Sequence, residues 1–413
     1  MKKDRITLGS RIQAARRGWS VGYIPDTYKP FSAPNVVDFG VTVNEDAALR
    51  FTAVYAAIRL LSENIAALPK SVKLRTDSGY EDALDHPAFR TLCVAPNDYM
   101  DVFTFWFKNV ANLYGKGNFF APIKRDGRKI SLHAVDPDWV QVLFDNGVKG
   151  YQVNCPDPSY KFLNGTYLEH EMIHVMLFTR NGLIGIDPIT YNAAAIGRGL
   201  AANKFSGEFY KRGGQIKGVM ETDQELGDEA YEKFMRHFSV SAGNFETPLL
   251  EYGIKYKSIG ISPVAAQLLQ TETLSIDDIA RIFCIPPHLL AELSHATFSN
   301  IEQQNIHFAE FSLRPVCKRI EVQLERKLFS ESELGRYSVK FDLKGLMRGD
   351  AAARANYYTS GINAGWMTPN EARRLEEMKA LPGLDSPRMP MNFVQIDDQG
   401  NAKVVDNSTP NEE

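Results

Sequence analysis

Between residues 119 and 185 four turn dipeptides, Asp126-Gly127, Asn146-Gly147, Asn164-Gly165 and Asn181-Gly182, interrupt short apolar runs. Such pairs suit the positive φ angles of tight hairpin turns. The runs they separate, among them Phe119 to Lys124, Val140 to Phe144 and Met172 to Phe178, are rich in β-branched and aromatic residues. This spacing predicts a meandering antiparallel sheet and excludes an all-helical chain. A sheet of this kind needs a cover for one face. Leu49, Ala53, Ala56, Leu60, Leu61, Ile65 and Leu68 recur at helical intervals, so 47–68 reads as an amphipathic helix stopped by Pro69, with Lys70 to Arg75 as its partner strand. Pro96-Asn97-Asp98 reads as the start of a second helix, striped by Val102, Phe105, Trp106, Val110 and Leu113. The fold class is α+β.

Downstream, the chain reads helical from Pro188 to residue 212, about 35 Å at 1.5 Å per residue. Ala193, Ala194, Ala195, Gly197, Gly199, Ala201 and Ala202 give this helix almost no bulk, as suits close approach of other backbones. A compact insert follows, with strands Ile216 to Glu221 and Leu249 to Lys257 around a polar helix near 225–239. Another helix opens at Pro263 and runs to Phe283, where Pro286-Pro287 stops it. A polar segment, 291–300, leads into a long helix, Glu302 to Leu328, which Pro315 should kink. A strand from 339 and two further helices complete the ordered part, the last opened by Thr368-Pro369-Asn370-Glu371. At 413 residues the chain exceeds what one core sustains.

With 47 Lys+Arg against 50 Asp+Glu the net charge is −3, which argues against a large basic face that grips nucleic acid. The imbalance is local. Lys2, Lys3, Arg5, Arg11, Arg16 and Arg17 make residues 1–40 read as a flexible basic arm, and 385–413, with 2 basic and 6 acidic residues, read as a disordered acidic tail. Cys93, Cys155, Cys284 and Cys317 lack any C-x-x-C spacing and lie in apolar stretches, so they read as reduced core residues. With no signal-like run and no membrane span, a soluble intracellular protein is expected.

His170-Glu171-Met172-Ile173-His174 matches the H-E-x-x-H zinc site, with Glu208 downstream as a third ligand. That chemistry needs both His on one helix face. Residues 172–178 are β-prone, and positions four apart on a strand are separated by about 13 Å. No phosphate loop, nucleophile elbow or Cys–His pair is present, so no cofactor is expected. Lone His such as His133 and His237 read as structural, and Trp106, Trp139 and Trp366 as packing residues. A non-enzymatic peptide-binding scaffold, monomeric or dimeric, is the other alternative.

The order of several short motifs resembles the bacteriophage portal proteins of long-tailed double-stranded DNA phages and prophages. The motifs are Pro96-Asn97 with Met100 and Phe105, Gly117-Asn118, Asp136-Pro137 with Val140, and Gly182-Leu183-Ile184-Gly185-Ile186-Asp187-Pro188-Ile189. Ile285-Pro286-Pro287-His288-Leu289-Leu290 comes next, followed by Thr297-Phe298-Ser299-Asn300-Ile301-Glu302, Leu313-Arg314-Pro315, Ile320-Glu321, and Gly365-Trp366-Met367-Thr368-Pro369-Asn370-Glu371-Ala372-Arg373. The resemblance covers about residues 40–385. It implies a non-enzymatic ring, usually dodecameric, at one capsid vertex, through which the terminase large subunit drives double-stranded DNA and from which DNA is later ejected. It also implies contacts with major capsid, scaffold and head-completion adaptor proteins, no membrane, and residence in the virion after assembly in the host cytoplasm.

In the family's terms, 41–187 with 301–344 resemble the wing, while 188–212 and 263–283 resemble stem helices packed through Ala194, Gly197 and Ala201. Residues 213–262 resemble the clip, with Lys217, Glu229, Lys233 and Arg236 placed for terminase or adaptor contact. The region 284–300 resembles the tunnel loop, with Ser294, His295, Thr297, Phe298, Ser299 and Asn300 facing the channel, and 345–384 resembles the crown.

Overall fold

The computed structural model describes residues 26–28, 36–38, 40–211 except 78 and 146, 218–236 except 224–226, 230 and 234, 254–258, 264–290, 306–343, 351–387 except 377, 395–396 and 402–403. The chain divides into two units, Met1–Leu343 and Lys344–Glu413. The first carries the sheets and the main core.

The helix expected over 47–68 is two, α1 (Glu45–Leu49) and α2 (Thr52–Ala67). Asn44 caps α1 through its Oδ1, which accepts the Ala47 N–H at 2.8 Å. Between them Phe51 is extended (φ −81°, ψ 116°) and buries its ring, so the break seats an aromatic that a continuous helix would have turned elsewhere. At the far end Leu68 (ψ 134°) leaves the helical region because Pro69 excludes it. Helix α3 spans Pro87–Cys93 and α4 spans Val102–Lys116. Asp101, not Asn97, caps α4, its Oδ1 accepting the Thr104 N–H at 2.8 Å. Asn97 instead folds the preceding turn: it accepts from Tyr99 N (3.1 Å) and Met100 N (2.8 Å) and donates to the Leu132 carbonyl at 2.8 Å.

Helices α2 and α4 pack through Val54, Ile58, Leu61 and Ile65 against Phe105, Trp106, Val110 and Leu113, all buried. Each such side chain contributes roughly 1.5–3 kcal/mol. Trp106 stands edge-on to Phe105, Phe119 and Phe341, and its Nε1 donates to the Leu92 carbonyl at 3.3 Å.

The strands do not form one meander. β6 (Asn118–Asp126) lies between β7 (Lys129–Leu132) and β11 (Met172–Met176) in one antiparallel sheet. A second sheet has the order β1 (Asp26–Tyr28), β8 (Val140–Asp145), β9 (Val148–Val153) and β10 (Gly165–Leu168). The turns at Asp126-Gly127 and around Gly147 are the expected hairpins. Asn164-Gly165 is not a tight turn, because a 3₁₀ segment, Pro158–Leu163, connects β9 to β10. Asn181 folds a loop toward a helix instead of a strand, its Oδ1 accepting the N–H groups of Leu183 and Ile184. Tyr151, Val142, Val153 and Leu163 center a smaller core under the second sheet.

A third sheet has the order β14 (Tyr337–Phe341), β4 (Lys70–Thr76), β5 (Gly79–Asp82). Its edge is closed by side chains: Glu321 Oε1 accepts the Phe341 N–H at 2.9 Å and Glu325 Oε1 the Val339 N–H at 3.0 Å. Unpaired edge donors are thereby satisfied.

The helical part also differs in detail from expectation. Residues 188–211 comprise α5 (Pro188–Tyr191), a break at Asn192, and α6 (Ala193–Lys211). Helix α7 (Val264–Phe283) ends at Cys284, whose φ of 54° lets Ile285 N–H reach back to the Ala280 carbonyl at 2.8 Å. Pro315 does not simply kink a long helix. A π-helical turn, Phe308–Leu313, precedes α8 (Arg314–Leu328), so Pro315 falls in the first turn of α8, where a missing N–H costs little.

In the insert, β12 (Gly218–Glu221) pairs antiparallel with β13 (Lys255–Ser258), and helix is present at 228–229, 231–233 and 235–236. The stretch read as a flexible arm contains β1 and β2 (Val36–Asp38), which pair with β8 and with β3 (Val41–Val43). The tail read as disordered holds the pair β15 (Gln395–Ile396) and β16 (Ala402–Lys403). In the second unit α9 (Ala351–Asn363) precedes α10 (Pro369–Leu375), with Thr368 and Glu371 forming the expected capping box. Trp366 is 56% exposed and flanks Gly361, unlike the packed residue expected.

Candidate functional site

Two features of the first unit stand out: a polar junction that sets the start of the helical region, and the helical hairpin it launches. At the junction α4 ends in Gly117 (φ 71°), and the next residue, Asn118, opens β6. Asn118 Nδ2 donates to the carbonyls of Lys116 (2.9 Å) and Gly185 (3.0 Å), and its Oδ1 accepts the Gly185 N–H at 2.7 Å. The backbones cross so closely that a Cβ on Gly117 would lie 2.0 Å from the Ile186 oxygen, and one on Gly185 would lie 2.1 Å from the Gly117 oxygen. Only glycine fits at either position. The sequence motifs at 117–118 and 182–189 are therefore two halves of one contact.

His174 sits on β11, 3% exposed, with Nε2 at 3.1 Å from Asn118 Oδ1 and Nδ1 at 3.1 Å from Lys149 Nζ. Because Asn118 Oδ1 only accepts, His174 carries its proton on Nε2 and receives a hydrogen bond from the Lys149 ammonium on Nδ1. Burial, with the nearby Lys149 charge, pushes the His174 pKa well below its ordinary value. Lys149 also donates to the Leu183 carbonyl at 2.8 Å, and burial lowers its pKa to about 8. The chain Lys149, His174, Asn118, Gly185 thus ties both sheets to the loop before α5.

The loop ends at Asp187, whose Oδ1 accepts the N–H groups of Ile189 (2.8 Å) and Thr190 (3.2 Å), with Pro188 in the first turn. At the other side Lys116 pairs with Asp138 (2.7 Å), Asp136 (2.8 Å) and Glu45 (3.2 Å). Burial alone would lower the Lys116 pKa, but these carboxylates outweigh it and raise it.

In the hairpin, α6 and α7 approach through Gly199, where a Cβ would meet Phe51 Cε1 at 2.7 Å and Ser275 Cβ at 3.4 Å. Arg198 reaches Asp278 across the pair at 3.3 Å. Of the residues predicted to pack this region, Gly197 is buried, Ala201 half-buried and Ala194 exposed. Gly199 makes the close contact within the chain, and Ala194 points away from it. Glu229, Lys233 and Arg236 are exposed, whereas Lys217 lies outside the described residues, as do Ser294, His295, Thr297, Phe298, Ser299 and Asn300.

The H-E-x-x-H match fails on geometry. His170 and Glu171 belong to a 3₁₀ turn, Glu171 bonds back to the Leu168 N–H at 2.8 Å, and His174 is occupied on the following strand. Among the described residues no group of three or more His, Cys, Asp or Glu could hold a metal ion, and no helix is long and apolar enough to cross a membrane. Asn118, Lys149 and Gly185 take on the positioning role. Gly117-Asn118 and the Gly182–Ile189 motif signalled Asn118 and Gly185 in the sequence, whereas nothing in the sequence singled out Lys149.

Residues 52–377 match the phage portal protein family model, and the chain belongs to that family. It is 29% identical over 405 residues to the probable portal protein of Streptomyces phage phiC31, covering 93% of this chain and 86% of that protein. The portal protein of Enterobacteria phage HK97 is 28% identical, with coverage of 97% and 94%. Among solved structures, a chain from the virion of a native gene transfer agent particle shares the fold with a TM-score of 0.57 at 19% identity, covering 91% of this chain and 100% of that one. An HK97 family phage portal protein from Corynebacterium diphtheriae gives 0.54 at 16%, covering 74% and 98%. This chain is accordingly a capsid-vertex portal used in DNA packaging, a ring-forming component of the virion capsid. Nothing in these comparisons supports the metalloprotease or the peptide-scaffold reading.

Proposed function

We propose that twelve copies close around a channel through which the terminase large subunit drives double-stranded DNA, and through which DNA later leaves for the tail. The reading rests on the family match over residues 52–377. The number twelve agrees with a gene transfer agent neck computed with C12 symmetry that contains the same fold, and a second such neck was computed with C6 symmetry, which twelve also accommodates. The chain performs no chemistry of its own. It is assembled in the host cytoplasm, where it meets major capsid and scaffold proteins. Residues 213–262, through Lys217, Glu229, Lys233 and Arg236, meet terminase and afterwards the head-completion adaptors.

Twelve chains at −3 each carry about −36, so the ring as a whole does not hold phosphates tightly, and low-friction passage follows. Ser294, His295, Thr297, Phe298, Ser299 and Asn300 line the channel in this reading, and Ala194, Gly197 and Ala201 serve packing of the stem. Negative-stain images of the purified chain should show rings with a central hole; uniformly monomeric or dimeric particles would refute it. Bulky replacements of Ser299 or Asn300 should leave rings intact and impair packaging, whereas undiminished packaging would remove these residues from the channel.

A further inference from the structure

An apolar groove of about 460 Å³ lies open at the C-terminal end of α7, walled by Cys284, Pro286, Pro287, His307 and Phe311. Phe311, presented by the π-helical turn before α8, is 66% exposed. Leu274, on the outer side of α7, is 58% exposed. Large apolar side chains beside an open apolar groove are unfavourable in water by roughly 25 cal/mol per Å² and mark a surface that a partner covers.

We infer that this groove seats an apolar side chain of the next copy in the ring, with Phe311 and Cys284 becoming buried on assembly. The inference rests on the ring reading above and adds which surface closes it. In a ring of identical chains each contact joins two different faces of the same molecule, so every copy must carry a receiving surface and a complementary one. Charge points to a second copy as the occupant. Asp277, which borders the groove, has no ion pair among the described residues, and neither has the exposed Lys204 on α6, the helix packed beside α7. Arg281 also lines the groove but is held by Asp278 at 2.7 Å, so the unpaired charge on one copy's groove side is an acid, and the exposed side of α6 offers a base. The two match between neighbours without any rearrangement within a chain.

Cys284 supplies the test. It is exposed in the single chain, whereas Cys155 and Cys317 are buried and Cys93 is half-buried with its thiol pushed up to about 11 by burial. Full-length protein would be treated with a maleimide as separated monomers and as rings, and the adduct at Cys284 located by peptide mass spectrometry. Labelling of Cys284 should slow at least about tenfold in rings, because thiol reactivity follows exposure. Phe311→Asp should keep the circular dichroism and melting temperature of the parent monomer and fail to form rings. Rings labelled at Cys284 as fast as monomers would overturn the groove assignment while leaving the ring reading intact, as would normal rings of Phe311→Asp. Parent chains that never form rings would overturn the ring reading and the groove assignment with it.

Discussion

At the junction around Asn118, every contact is made within one chain; along the α6–α7 hairpin, much of the surface is left unused. Asn118 engages through both amide atoms, Gly117 and Gly185 stand at the limit of backbone approach, and His174 is buried with both ring nitrogens partnered. Among its described residues the hairpin has a tight point at Gly199 and leaves Ala194, Lys204 and Leu274 exposed. A region complete in the monomer fixes geometry, and a region incomplete in the monomer is where assembly acts. Changes at the junction should therefore register as stability, and changes on the outer hairpin as assembly.

The largest effect is expected at the crossing. Gly185→Ala places a methyl group on the Gly117 carbonyl, and Gly117→Ala adds a strained positive φ; we predict a loss of about 4 kcal/mol or failure to fold, read by urea denaturation. Either variant melting like the parent would break the comparison at its stronger end.

Acid comes next. Burial lowers the pKa of His133 to about 4, well under the ordinary 6.5, and lowers that of His174 well below its usual range. Both are neutral when folded, so their stabilisation is complete above about pH 6.5 and fades as the unfolded chain takes up protons below it. For His133 alone, taking the pH from 7 to 4 should cost up to about 3 kcal/mol, and His133→Phe should flatten that part of the pH–stability curve. An unchanged slope in the variant would count against the assignment.

Gly199→Leu should cost roughly 2 kcal/mol, since Phe51 and Ser275 must give way to the new side chain. Smallest of all, Ala194→Leu should alter monomer melting by under about 0.5 kcal/mol, because the position is exposed. A large change there would mean that the outer face of α6 is already committed within the chain.

Much of the architecture was legible in the sequence because it rests on local patterns. The stripe of α2, the cores of β6, β8 and β11, the hairpins at 126–127 and 147, the Pro-rich end of α7 and the capping box at Thr368 all follow from spacing and turn chemistry. Contacts between distant segments were not legible. Asn118 meets Gly185 across 67 positions, and no periodicity signals such a pair. The helix breaks at Phe51 and Asn192 arise from tertiary demands that override helical propensity. Cys284, read as a core residue, is exposed because its positive φ ends α7 at the surface. Of the candidate site residues, Gly197 is buried and Ala194 exposed although they stand three positions apart on α6, a distinction composition alone does not make.

The wide turn at Phe308–Leu313 carries one residue more than an α turn would need. It acts as a phase offset written into the helix. Ile306 and His307, ahead of the turn, are set about 100° around the axis from where an uninterrupted helix would place them, while the residues from Arg314 onward keep their grip on the core. A change of one residue here would turn Ile306 and His307 about the axis and would leave the buried stripe of α8 in register. What stands ahead of the turn is thus set by a residue count, independently of the packing behind it.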